Sequence, residues 1–94
     1  MSPPVDANPV RLTGEYAAGD SPFQPVVLTR LARDHCRASL CGEAPQPGTK
    51  VAMWIGALGP LGATVGVGEK EGVWLRFHTS LPRQFVSHFV GANG

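Results

Sequence analysis

Glycine and proline divide this chain into short pieces, and that division restricts the fold more than any other feature of the sequence. Twelve glycines and nine prolines occur in 94 residues, and they cluster in turn-forming stretches. The pieces between these clusters are rich in β-branched and aromatic residues. The sequence therefore predicts short strands at residues 10–17, 23–31, 36–41, 49–55, 63–67 and 73–77. Turns are predicted at 18–22, 42–48, 56–62 and 68–72.

The last part of the chain has the pattern of a helix. Pro82 is expected in the first turn of this helix, where the N–H group that proline lacks would have no hydrogen-bond partner within the helix. Leu81, Phe85 and Phe89 recur at intervals of four, and with Val86 and Val90 beside them they predict an apolar stripe that docks on the core. Gly91 is expected to end the helix. Short strands followed by one helix predict an all-β fold, a six-stranded antiparallel (split) barrel with a C-terminal helix.

Length, charge and composition restrict the function. A chain of 94 residues forms one domain, which we place at 10–91 between flexible tails at 1–9 and 92–94. The net charge of +1 argues against nucleic acid as a partner. The charged fraction of 16% is low and favours a protein partner that covers part of the surface. Membrane insertion is not expected because no apolar run is long enough, and without a secretion signal the expected location is cytoplasmic.

Two groups of side chains invite a catalytic or metal-binding interpretation. Asp34, His35 and Cys36 are the residue types of a nucleophilic triad, but neighbours on a strand point to opposite faces. Cys36, Cys41, His35 and His78 carry zinc-binding groups, but their spacing differs from that of common zinc motifs. The sequence therefore favours a domain that is not an enzyme and has no metal or cofactor, with Cys36 as a small core residue.

The order of several short motifs resembles the PilZ family of bacterial signalling domains. Residues 47–51 (PGTKV) match the segment that opens a strand in that family, and residues 58–61 (LGPL) match a turn of one of its branches. Residues 36–37 (CR), Phe77 and residues 81–82 (LP) match further positions. The similarity extends over nearly the whole domain. It implies a PilZ-type barrel that acts in cyclic di-GMP signalling.

The family's nucleotide-binding residues are replaced in this chain. The D/NxSxxG signature falls on Arg30, Ala32 and His35, and the RxxxR arm is missing because Arg11 is the only arginine before Arg30. Arginine suits both phosphates and guanine bases, so the loss of several such contacts removes much of the affinity. The resemblance therefore implies an adaptor that acts by protein–protein interaction and retains a degenerate cyclic di-GMP site.

An alternative function uses the arginines that the chain does have. Cyclic di-GMP is then a ligand bound in a non-standard mode, and the candidate ligand-binding residues are Arg11, Arg30, Arg33, Arg37 and His35. The simpler interpretation of the same residues is a solvated turn and strand face, with Asp34 pairing locally. The sequence leaves both interpretations open.

A protein partner is expected to contact exposed apolar groups. Trp74 is the main candidate, because it occupies a glycine position of the family and tryptophan is frequent among binding hot spots. Pro60 and Leu61 are expected at an apolar loop tip that offers a second contact. Trp54 and Trp74 are alternatively parts of the core or of the barrel wall.

Overall fold

The computed structural model describes residues 8–40, 44–69 and 72–93, and within these ranges the chain forms a closed antiparallel barrel followed by one helix. The elements are β1 (Asn8–Ala18), β2 (Gln24–Leu31), β3 (His35–Leu40), β4 (Lys50–Ile55), β5 (Leu58–Glu69), β6 (Gly72–Phe77) and α1 (Arg83–Asn93). Their order around the barrel is β1-β2-β3-β6-β5-β4, and β4 closes the ring against β1. The predicted six-stranded antiparallel barrel with a C-terminal helix is confirmed.

Strand β1 closes the barrel because it pairs with two neighbours along its length. Residues 8–16 pair with β2, and residues 14–18 pair with β4. The two ladders overlap from Gly14 to Tyr16, and a β-carbon at Gly14 would collide with the backbone carbonyl oxygen of Trp54. Glycine at this position therefore lets β4 approach β1 closely enough to pair. Closure gives each described strand two neighbours, although residues 8–13 of β1 pair with β2 alone.

Alternation along the strands separates an apolar interior from the outer wall of the barrel. The largest fully buried side chains are Leu28, Leu31, Cys36, Met53, Ile55 and Val73. Leu81 and Val86 join the same core from the C-terminal segment, and α1 packs against β1. None of the described polar or charged side chains is buried. Polar binding chemistry in the described part of the chain is therefore confined to the outer wall and the turns.

Strand β5 begins earlier than the sequence predicts. Residues 56–62 are predicted as a turn, but only residues 56–57 form one, and β5 starts at Leu58. Leu58 and Leu61 pack against the core, and their burial extends the strand through the glycine and the proline between them. The prediction that Pro60 and Leu61 form a loop tip is therefore wrong.

The helix departs from the predicted stripe at Phe85 and from the predicted end. Leu81 precedes α1, so its spacing to Phe85 is not helical, and Phe85 is 37% exposed. Leu81 and Val86 of the predicted stripe are buried and Phe89 is partly buried, so these three residues pack on the core as predicted. The helix also continues past Gly91. Among the described residues, no helix has the length and apolar character needed to cross a membrane.

The close approach at Gly14 gives a test of barrel closure. We expect Gly14→Ala to lower the free energy of unfolding by about 2 kcal/mol, because the added methyl group forces β1 and β4 apart. Urea unfolding followed by tryptophan fluorescence measures the change. The control is Gly68→Ala, since a β-carbon at Gly68 meets no atom within 4 Å. Equal stability of the two variants would contradict the closure described here.

Candidate functional site

The hairpin of β2 and β3 brings two of the predicted arginines together. Arg30 is the Cα partner of Arg37, and the Ala32 N–H closes the turn by donating to the His35 carbonyl at 2.9 Å. Like charges directly opposite each other destabilise a ladder unless they find other partners. Arg37 has such a partner, because its Nε donates to Thr29 Oγ1 at 3.0 Å. The hairpin thus holds a cationic pair with one member fixed by a hydrogen bond.

Arg37 and Trp74 form the centre of the candidate site. They are Cα partners between β3 and β6, and the Arg37 Cζ lies 5.8 Å from the centroid of the Trp74 ring. This distance is within the range of a cation–π contact, about 6 Å. The His35 ring centroid is 5.7 Å from that of Trp74, and Arg76 is the Cα partner of His35. We call His35, Arg37, Trp74 and Arg76 the Trp74 face.

A groove of about 230 Å³ lies beside Trp74. It is lined by Asp34, His35, Gly66, Trp74, Leu75 and Arg76. A β-carbon at Gly66 would lie 3.2 Å from the Trp74 carbonyl oxygen, so the missing side chain keeps this flank of the groove open. Arg76 is absent from the predicted site, although alternation in the last strand puts it on the same face as Trp74.

Arg33 is tied to the C-terminal segment and does not join the other arginines. Its carbonyl accepts a hydrogen bond from the Leu81 N–H at 2.6 Å. Its Nε donates in return to the Leu81 carbonyl at 3.1 Å. The Phe77 N–H also donates to the Asp34 carbonyl at 2.8 Å. These bonds fix the tip of the β2–β3 hairpin to the segment that leads into α1.

Arg11 extends the cationic surface to a further strand. It lies on β1 in the irregular register between the Pro9–Arg30 and Leu12–Leu28 pairs. This position places Arg11 beside β2, on the side of Arg30 that is away from β3. Successive strands β1, β2, β3 and β6 therefore each contribute an arginine to this part of the outer wall: Arg11, Arg30, Arg37 and Arg76.

Asp34, His35 and Cys36 do not converge as a nucleophile with its base. His35 Nδ1 donates to Asp34 Oδ1 at 2.6 Å, and this bond holds the pKa of Asp34 below its usual value of 3.8. The charge of Arg76 lowers the pKa of Asp34 further, whereas partial desolvation opposes the shift. Cys36 is fully buried on the opposite side of the strand, and burial raises the pKa of its thiol to about 12.

The residues with zinc-binding groups are also separated. Cys36 faces the core and His35 faces the groove, while His78 Nε2 lies 2.8 Å from Thr64 Oγ1. Cys41 lies outside the described residues. Among the residues that are described, no three His, Cys, Asp or Glu side chains lie together as a set of metal ligands.

The three predicted partner contacts fall in two places. Leu61 pairs with Met53 on the β4 side of β5 and packs against the core. Pro60 precedes it and is exposed. The strand from residue 60 to Gly66, which lines the groove beside Trp74, spans about 20 Å. The structure therefore does not bring Pro60 and Leu61 together with Trp74.

Comparison of the chain with protein-family models, with curated protein sequences and with solved structures finds no match.

The Asp34–His35 hydrogen bond leads to a prediction about pH. A carboxyl group with a lowered pKa in the folded state stabilises the fold above its unfolded pKa, and this stabilisation disappears as the pH falls through the folded pKa. We expect Asp34→Asn to reduce stability at about pH 6 and to have no effect at about pH 2. The difference at the higher pH should be below about 1 kcal/mol, because the carboxylate is half exposed and screened. Urea unfolding at both pH values measures it, and an equal loss at both would contradict the assignment.

Proposed function

We propose that this chain is a PilZ-like cytoplasmic adaptor domain that binds a protein partner through the Trp74 face and does not catalyse a reaction. The observation that carries the proposal is the position of Arg37 over Trp74, beside a groove on the outer wall. Tryptophan and arginine are the residues most enriched at hot spots of protein–protein interfaces. Here the hydrogen bond to Thr29 orders the arginine in advance, which lowers the entropy cost of binding.

The size of the groove supports a protein surface over a small metabolite. At about 230 Å³ it lies below the range of typical small-molecule pockets, about 300–1,000 Å³. A groove of this size accommodates one side chain of a partner, and the arginines around it then contact the rim of the interface. The domain would in this way bind by side-chain insertion at its outer wall.

The assignment to a PilZ-like domain is supported by where the motifs fall in the fold. Residues 47–48 of the PGTKV segment form the turn directly before β4, with the Gly48 N–H donating to the Val65 carbonyl at 2.7 Å. The D/NxSxxG positions fall on the β2–β3 hairpin, with Arg30 in β2 and His35 in β3. Replacement of that signature at the hairpin next to Trp74 supports an adaptor whose former ligand surface now contacts protein.

Capture of partner proteins by variants of Arg37 and Trp74 tests this proposal. We expect Arg37→Ala and Trp74→Ala to reduce partner retention at least about tenfold, the effect of losing roughly 1.4 kcal/mol at a hot spot. Immobilised domain is incubated with extract of the source cells, and retained proteins are quantified by mass spectrometry.

The control is Arg83→Ala, which removes the same charge from an exposed position on α1. All variants are first checked by thermal unfolding. Partners retained equally by Arg37→Ala, Trp74→Ala and Arg83→Ala would contradict a binding role of the Trp74 face.

A second candidate function is a cyclic di-GMP receptor with a non-standard site. The observation in its favour is the pairing of Arg30 with Arg37 at the hairpin. Planar guanidinium groups suit both phosphate oxygens and the faces of guanine bases. In this function Arg11 and His35 complete the ligand surface, and Arg33 contributes least because Leu81 engages its Nε.

A further inference from the structure

Trp54, the other tryptophan of the chain, lies at the centre of a different surface, which is built on β1, β2, β4 and β5. Glu15 on β1 is the Cα partner of Pro25 on β2 and of Trp54 on β4. Pro60 on β5 lies next to the same position of β4, between the Met53–Leu61 and Ile55–Leu58 pairs. Phe23 precedes β2 and contacts Trp54. We call these residues the Trp54 face: Glu15, Phe23, Pro25, Trp54 and Pro60.

Aromatic rings on the Trp54 face are ordered but remain accessible. The Phe23 ring meets the Trp54 ring edge to face, with 4.6 Å between centroids, yet Phe23 is 54% exposed. On another side of the indole, a β-carbon at Gly59 would lie 2.6 Å from Trp54 Cδ1. Glycine there allows Trp54 to lie against β5 beside the exposed Pro60. An exposed apolar surface of this kind on a small barrel indicates a contact site.

A groove with an acidic rim runs along the Trp54 face. Its volume is about 300 Å³, and Thr13, Gly14, Glu15, Trp54 and Gly56 line it. The indole forms an apolar wall, and the exposed carboxylate of Glu15 introduces negative charge. A ligand that fits this groove has an apolar ridge for the indole and a cation for the carboxylate.

The fold restricts how a peptide chain can occupy this groove. Addition of a strand needs an open sheet edge, and at the Trp54 face Glu15 of β1 already pairs with Pro25 of β2 on one side and with Trp54 of β4 on the other. A polyproline II helix needs no backbone partner from the sheet, and its proline rings pack between aromatic side chains on a flat surface. We propose that the Trp54 face binds a proline-rich segment of a partner protein in the polyproline II conformation, with an arginine or lysine of that segment paired to Glu15.

This surface is independent of the function proposed above. The Trp54 face is built on β1, β2, β4 and β5, whereas Trp74 and its neighbours His35, Arg37 and Arg76 lie on β3 and β6. The two surfaces differ in charge, since arginines surround Trp74 and a glutamate adjoins Trp54. Failure of one proposal therefore leaves the other intact.

The test is an NMR titration of the whole chain with a synthetic polyproline peptide that carries one arginine. A peptide of about ten residues spans about 30 Å in this conformation, enough to cross the four strands of the Trp54 face, which cover about 15 Å at the usual strand spacing. We expect saturable shift changes at Thr13, Glu15 and the Trp54 indole, with a dissociation constant of about 100 μM, typical of a weak peptide contact. Phe23→Ala should weaken binding at least about tenfold, because it removes the exposed ring that packs against Trp54 and extends the apolar surface beside the groove.

Two comparisons separate the apolar contribution from the charged one. Glu15→Gln should weaken binding of the arginine peptide about two- to fivefold, the effect of an exposed ion pair, and leave an arginine-free polyproline peptide unaffected. Phe85→Ala is the matched control, because Phe85 is also partly exposed but lies on α1. It should bind like the wild type.

Three results would overturn the proposal. The first is the absence of saturable shifts at millimolar peptide. The second is a set of shifts confined to Trp74 and the strands around it. The third is concentration-dependent shifts of the Trp54 face without peptide, which would assign this surface to a second copy of the chain.

Discussion

The pairing of β1 with both β2 and β4 is the interaction on which the rest of this structure depends. The ring closes along residues 14–18 of β1, so each strand has one row of side chains inside the barrel and one row outside. The inner row is apolar and fills the core, so the chemistry of the described residues is left to the outer row. Where strands pair on both sides, as at Glu15, the outer row binds through its side chains and not through the backbone.

The outer wall carries two surfaces around its tryptophans, and they differ in charge. Arg37 and Arg76 place positive charge beside Trp74, so this surface favours a neutral or negatively charged ligand. Trp54 lies beside Glu15 and favours a ligand that brings a cation. The bonds between Arg33 and Leu81 also connect the hairpin of the first surface with the start of α1.

The fold could be predicted because glycine, proline and strand alternation are local signals. The same signals were misleading at Leu58 and Leu61, where burial in the core overrides a turn-like composition. The grouping of Arg30 with Arg37 follows from a hairpin, which is short-range. The contact of Phe23 with Trp54 joins residues that are far apart in sequence. It depends on barrel closure, and no local pattern predicts it.

The measurement that tests the adaptor account most directly is calorimetric titration of the purified chain with cyclic di-GMP at low salt. The account predicts no saturable heat, because the signature residues of the nucleotide site are replaced and Arg33 is engaged by Leu81. Saturable heat with a dissociation constant near or below about 10 μM, roughly −7 kcal/mol, would contradict it. The arginine surface would then be a replacement nucleotide site.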